Sequence, residues 1–527
     1  MVGGIVGVSA LVDACTVSQT STSSGTHGGQ RRGGDLTFAT EAEIASFDPR
    51  IGAWDNTAYL YARTVYDPLF TQAADGSIKP YLARSITPNP DYTQWTIALR
   101  PGVTFHDGSP FDAGTVKVNL DGVTRSPLTG PFLFNVQSTR VIDPLTLLVT
   151  MYTPWVPFPS YLTNVLGYMC GLKQLADTSG RARPVGTGPF VFKEWVPGDH
   201  FTAVRNPAYW RPHLPYLDSI TFKSVTDPIS RGNGLAAGDF DLMHSADTQN
   251  VADFLRRPGF AQVNDRNAVL GEPDQNFIML NTAVPPLNDL RVRQALACAT
   301  DKRRVIDTLY NALTRPTDGP FPSGSPYYGP TGYPSHDPTR ARALVAEYEK
   351  DVGPVSFRFT TVNTQKGRLR NELLQAMWKD VGINTDIIVR EQSALLIDVI
   401  VGNYQACGFR QFNAVDPDAN YPWWSSSTTA PIGKQALNFT RIRDPQLDAG
   451  LVAGRTQVDP QVRAAAYRLV AERLGALVPY VWIGPTVWIV AAHATVGGLG
   501  QATLPDGAEA RAMLSGVIWP AGLWRAS

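Results

Sequence analysis

Alternating and helically spaced apolar positions divide this chain into a mixed α/β pattern. Trp95, Ile97 and Leu99 alternate with polar residues, which predicts a half-buried strand, and Asp107-Gly108 supplies turn chemistry before Phe111 to Val123. Behind Asn288 and Asp289, either of which can cap a helix, Val292, Leu296 and Ala299 recur at helical spacing; Val305, Ile306 and Leu309 continue after Asp301. The basic residues of this stretch, Arg291, Arg293, Lys302, Arg303 and Arg304, are expected on a mainly solvated face. The clearest unit follows. Val355, Phe357 and Phe359 alternate as a strand, Leu369, Leu373, Met377 and Val381 recur as a helix ended by Gly382, and Ile383, Thr385, Ile387 and Val389 alternate again. Such a β-α-β unit has parallel strands and a right-handed crossover. A further short strand is expected near Tyr404 to Phe409. Ligands of open α/β sheets bind beyond the carboxyl ends of the strands, which marks the loop Thr361 to Gln365 and the segment Arg410 to Asp418 as one crevice.

Composition narrows the function classes. At 527 residues the chain exceeds a single core, which stops growing near about 250 to 300 residues, so two or three lobes are expected. Lys plus Arg equals Asp plus Glu at 46 each, which leaves no electrostatic footprint for nucleic acid. The four cysteines, Cys15, Cys170, Cys298 and Cys407, are too scattered for a zinc site or a disulfide scaffold. Cys298 reads as a buried apolar residue, and Cys170 and Cys407 pair only if the fold and an oxidising compartment bring them together. Residues 2–12 form a short apolar run that ends before Cys15 and a Ser/Thr/Gly-rich stretch. That order resembles a bacterial lipoprotein processing site, with Cys15 acylated and residues 1–34 as signal and tether; the alternative is an ordinary frayed terminus. No later run reaches the ~18 to 20 apolar residues that span a bilayer. The Gly-x-Ser-x-Gly, His-Glu-x-x-His and P-loop lysine motifs are absent, and His106-Asp107-Gly108 reads as a turn, so no enzyme is indicated.

Four motifs follow one another in the first quarter of the chain: Tyr66 to Leu69, Lys79 to Ala83, Trp95 to Arg100 and Phe105 to Gly108. Gly186 to Phe190, Trp195 and Asn206 to Trp210 form a second group, Asn281 to Leu296 a third, and Asp337 to Ala341 opens the helix after it. In this order they resemble the peptide-type solute-binding proteins of bacterial ABC importers, the family of oligopeptide, dipeptide and nickel binders, over roughly residues 35 to 450. The resemblance implies a two-lobe α/β periplasmic-binding-protein-like fold of type II with an extra subdomain. Residues 35–50, 183–278 and 490–527 would form the core of lobe I, 51–182 the extra subdomain and 279–489 lobe II, with hinge crossings near Asn276 to Asn281 and Trp482 to Ile489. It further implies an extracytoplasmic monomer, periplasmic or lipid-anchored, without cofactor or metal, that hands an oligopeptide to an ABC permease with its ATPase subunits.

Gly408 to Asp418, with Tyr421, Trp423 and Trp424 behind it, combines acceptors, donors and flat apolar surfaces. A buried carboxylate holds an ammonium group while aromatic rings cover apolar or cationic groups without reading much detail. The expected ligand residues are Asp416, Asn413, Arg410, Trp423, Trp424, Thr361 and Asn363; the alternative is a turn at Asp416-Pro417-Asp418 with tryptophans that pack the lobe. The resemblance also implies a departure. Dipeptide binders of the family hold the peptide amine with an aspartate that falls here near Asn413 or Ala414, and the carboxylate with an arginine that falls near Thr361. Loss of such a pair disfavours a zwitterionic dipeptide, on the scale of about 2 to 5 kcal/mol. Longer peptides held through their backbone, a non-peptide ligand such as a metal chelate, haem or glycan, and a regulatory lipoprotein without cargo remain open.

Overall fold

The computed structural model describes residues 30–52, 54–126, 129–177, 183–265, 270–411 and 414–526, so Cys15 and Asn413 lie outside the described residues. The architecture is mixed α/β in two lobes, each built on its own sheet. The first sheet has seven strands in the order Phe260–Asn264, Ile489–His493, Leu242–Ser245, Asp35–Thr40, Ser219–Ser224, His200–Arg205 and Phe190–Val196. The second has five, in the order Asn384–Arg390, Ser356–Val362, Ala406–Gln411, Gln275–Leu280 and Tyr480–Pro485. The chain therefore crosses between lobes after Asn264 and returns between Pro485 and Ile489. Gln275–Leu280 lies wholly in the second sheet, so the first crossing precedes Gln275 instead of falling at 276–281.

The β-α-β unit forms as the apolar pattern predicts. Ser356–Val362 pairs in parallel with both Asn384–Arg390 and Ala406–Gln411, and the helix Gln365–Lys379 makes the crossover. Its buried stripe is Leu374, Met377 and Trp378, while Leu369 is exposed. Asp289 is the cap of the helix Leu290–Ala299, accepting from the Arg291 backbone N–H at 2.8 Å. Asp301 caps a second helix, Lys302–Leu309, and two of the cations expected to be solvated along these helices, Arg293 and Lys302, are instead buried. Arg293 donates to the carbonyls of Leu477 (2.9 Å) and Leu287 (2.8 Å), and Lys302 to that of Thr317 (2.9 Å), because backbone oxygens at loop ends need donors that a long basic chain can deliver.

A third, antiparallel sheet of Ala83–Pro88, Gln94–Leu99, Thr146–Met151 and Val136–Asp143 has a separate core, into which Trp95, Ile97 and Leu99 point. Asp67 ties this module to the first lobe and explains why motifs far apart in sequence occur together. Its buried carboxylate accepts from Tyr209 Oη (3.0 Å), Trp210 Nε1 (2.8 Å) and Thr187 Oγ1 (3.2 Å). Burial raises its pKa to about 7, against the pull of those hydrogen bonds. His106 belongs to the same seam, with Nε2 3.0 Å from the Gly188 carbonyl, and Gly108 at φ +82° completes the turn. Cys170, Cys298 and Cys407 are buried and free, with Cys170 and Cys407 in different cores. Among the described residues no helix is long and apolar enough to cross a membrane.

Candidate functional site

Two chain segments converge between the lobes. On the lobe I side Asp55 caps the helix Asn56–Val65, accepting from the Ala58 N–H at 2.9 Å, which turns the start of that helix and Trp54 toward the cleft. On the other side the strand Ala406–Gln411 ends, Asp416 caps the turn Pro417–Asn420 by accepting from Asp418 N–H at 2.9 Å, and the short helix Tyr421–Trp424 follows. Between them lies a cavity of about 530 Å³. Trp54, Tyr59 and Phe132 line one side, and Phe409, Trp423 and Phe439 the other. Among the described lining residues Asp55 is the one carboxylate, and Arg63 and Arg410 are the cations.

The space does not end there. A pocket of about 250 Å³ shares Gln72, Ala414, Val415 and Asn420 with the cavity, and an open groove of about 510 Å³ shares Ile78, Ser160 and Asp416 with that pocket. The three spaces adjoin one another along the 414–417 loop.

Charge is unevenly placed along the cleft. Arg410 sits 3.4 Å from Asp274 and 4.9 Å over the Trp488 ring. Burial pulls its pKa down, but the field of Asp274, Glu41 and Asp55 prevails and raises it. Burial lifts Asp274 to about 7 despite Arg410. Arg370, from the crossover helix, donates through Nη2 to Asn371 Oδ1 (3.0 Å) and Thr361 Oγ1 (3.4 Å), and among the described residues no carboxylate pairs with it. Burial lowers its pKa, and lowers that of Lys366, whose Nζ lies 4.5 Å over the Tyr310 ring.

Arg410 and Trp423 line the cavity, and Trp423 stands against Phe132 (5.5 Å) and Phe439 (5.0 Å). Trp424 does not: it is fully buried in the second lobe, 6.2 Å from Phe321. Asp416 pairs with Arg463 at 2.5 Å and lines the outer pocket and groove instead of the central cavity. Thr361 is buried within its strand, and Asn363 is exposed at the strand's end, where it accepts from Arg368. Sequence reasoning missed Asp55 and Arg63, which line the cavity. Asp55 before a helical run carried an N-cap signal.

A family model described as bacterial extracellular solute-binding proteins, family 5, matches residues 77–431. The glutathione-binding protein GsiB of Pectobacterium atrosepticum is 27% identical over 472 residues, 85% of this chain and 88% of that protein. The nickel-binding periplasmic protein of Escherichia coli is 27% identical over 494 residues, 89% and 92% of the two chains. In fold, the chain superposes on the periplasmic binding protein DppA of Helicobacter pylori, solved with the peptide STSA, with a TM-score of 0.81 at 23% identity, covering 94% and 99% of the two chains.

Proposed function

The chain belongs to the bacterial extracellular solute-binding proteins of family 5, the substrate-binding components of ABC importers, and from that premise we propose that it captures oligopeptides between its lobes and delivers them to a membrane permease. The continuity of the three pockets carries this reading. A cavity of about 530 Å³ falls within the usual range of about 300 to 1,000 Å³ for small-ligand sites, yet here it opens lengthwise, as an extended chain requires. Aromatic walls accept varied side chains, while Asp55, Arg63 and Arg410 are placed to meet the charged ends or side chains of a peptide.

A second reading is a single acidic, peptide-like molecule such as glutathione. The two guanidinium groups against one carboxylate that line the cavity favour it, as does the similarity to glutathione-binding proteins. A directly bound metal ion has less support, since no group of three or more His, Cys, Asp or Glu among the described residues could hold one. We further infer that the protein acts on its ligand only by binding, as a monomer, and that Cys15 carries a lipid anchor.

Because Trp54 and Trp423 line the cavity, intrinsic fluorescence titrated with di- to hexapeptides and with glutathione tests the two readings. Saturable changes with several peptides of four or more residues support the first, and a response to glutathione alone replaces it with the second.

A further inference from the structure

Asp418 is fully buried, and its carboxylate joins residues from both sides of the cleft. From the antiparallel module, Trp155 Nε1 donates to Oδ2 at 2.7 Å, and the Tyr161 hydroxyl lies 2.9 Å from Oδ2 and 2.7 Å from the Asp418 carbonyl. From lobe II, Arg455 Nε donates to Oδ1 at 3.0 Å. The seam extends on both flanks. Val156 N–H donates to the Arg455 carbonyl at 3.0 Å, and the Arg455 guanidinium lies between Tyr421 (3.9 Å) and Phe134 (4.6 Å). The module is itself fastened to lobe I through Asp67 and through Gly188 N–H on the Val65 carbonyl at 2.9 Å. Parting the lobes therefore strips Asp418 of its two donors from across the cleft.

We propose that Asp418, Trp155 and Tyr161 form a closing latch that sets the fraction of closed molecules and, through it, ligand affinity and residence time. Neither Asp418 nor Trp155 lines the central cavity, whereas Tyr161 does, so the effect of the latch on affinity is read from Asp418 and its effect on closure from both variants. Hydrogen bonds to a buried charge are the strong ones, and apparent affinity scales with the fraction of molecules in the binding-competent form. The proposal rests on the reading that the cleft opens and closes around a ligand.

Asp418→Asn keeps shape while weakening the acceptor. Tyr161→Phe removes one hydroxyl and leaves the Asp418–Arg455 pair intact, which keeps the test open should Asp418→Asn fail to fold. Small-angle scattering of protein stripped of small molecules by unfolding and refolding is expected to give a larger radius of gyration for both variants than for the wild type. For Asp418→Asn, titration with tetra-alanine is expected to show binding about ten- to a hundredfold weaker, chiefly through faster dissociation. An unchanged radius in a folded variant overturns the latch. The scattering arm needs no ligand, so it decides the latch even where tetra-alanine fails to bind and the peptide reading falls.

Discussion

Arg370 lies so closely over Gly408 that a Cβ on the glycine would stand 1.7 Å from Nη2. Since Arg370 also reaches Thr361 Oγ1, its guanidinium occupies the neighbourhood where the family resemblance expects an arginine and the strand carries a threonine.

Gly408→Ala should displace that guanidinium. The expected outcome is little change in denaturant unfolding, because the displaced group is the flexible end of a long side chain, together with weaker binding of acidic ligands. Arg370→Gln should leave stability nearly unchanged or improve it, because a buried cation without a carboxylate is removed, while the same ligands bind less well. Calorimetric titration beside a denaturation curve separates the two effects.

Trp423 and Trp424 are neighbours with different work. Trp423→Ala is expected to reduce ligand affinity about tenfold or more with little change in fold, since it opens a cavity wall. Trp424→Ala is expected to cost about 3 to 5 kcal/mol of stability, as for other fully buried aromatic residues. Thermal unfolding and a binding curve for each variant check the contrast.

Asp67 gives a pH dependence of defined sign. Its folded pKa of about 7 stands above the unfolded value of about 3.9, so the folded chain holds a proton there that the unfolded chain releases. The stability it contributes is complete below about pH 4 and is lost as pH rises through about 7. Asp274 behaves alike, while His106 and His244, lowered to about 4 by burial, drive stability the other way below about 6.5. The wild-type slope alone is thus ambiguous, but the difference from Asp67→Asn is not. The destabilisation by Asp67→Asn should be larger at pH 5 than at pH 8, measured by chemical denaturation at both.

Much of the fold was legible because it rests on local rules. The alternation at Trp95 to Leu99, the β-α-β unit and the Asp289 cap all follow from spacing that a single segment carries. The site was legible only where it sits on those elements, at Arg410 and Trp423. Asp55 and Arg63 come from a segment distant in sequence from Arg410 and Trp423, and their meeting depends on how the lobes are set against one another. Trp424 shows the converse, since its residue type suits a ligand loop but the apolar core has taken it, while Asp416 pairs with Arg463 at the outer pocket. The burial of Arg293 likewise follows from loop carbonyls that no local pattern announces.

Mass spectrometry of small molecules released by denaturing freshly purified protein is the most direct measurement. A series of peptide masses is the expected result, and their lengths would map onto the path from Trp423 to Asp416. A single non-peptide mass recovered in near-stoichiometric amount would contradict oligopeptide capture.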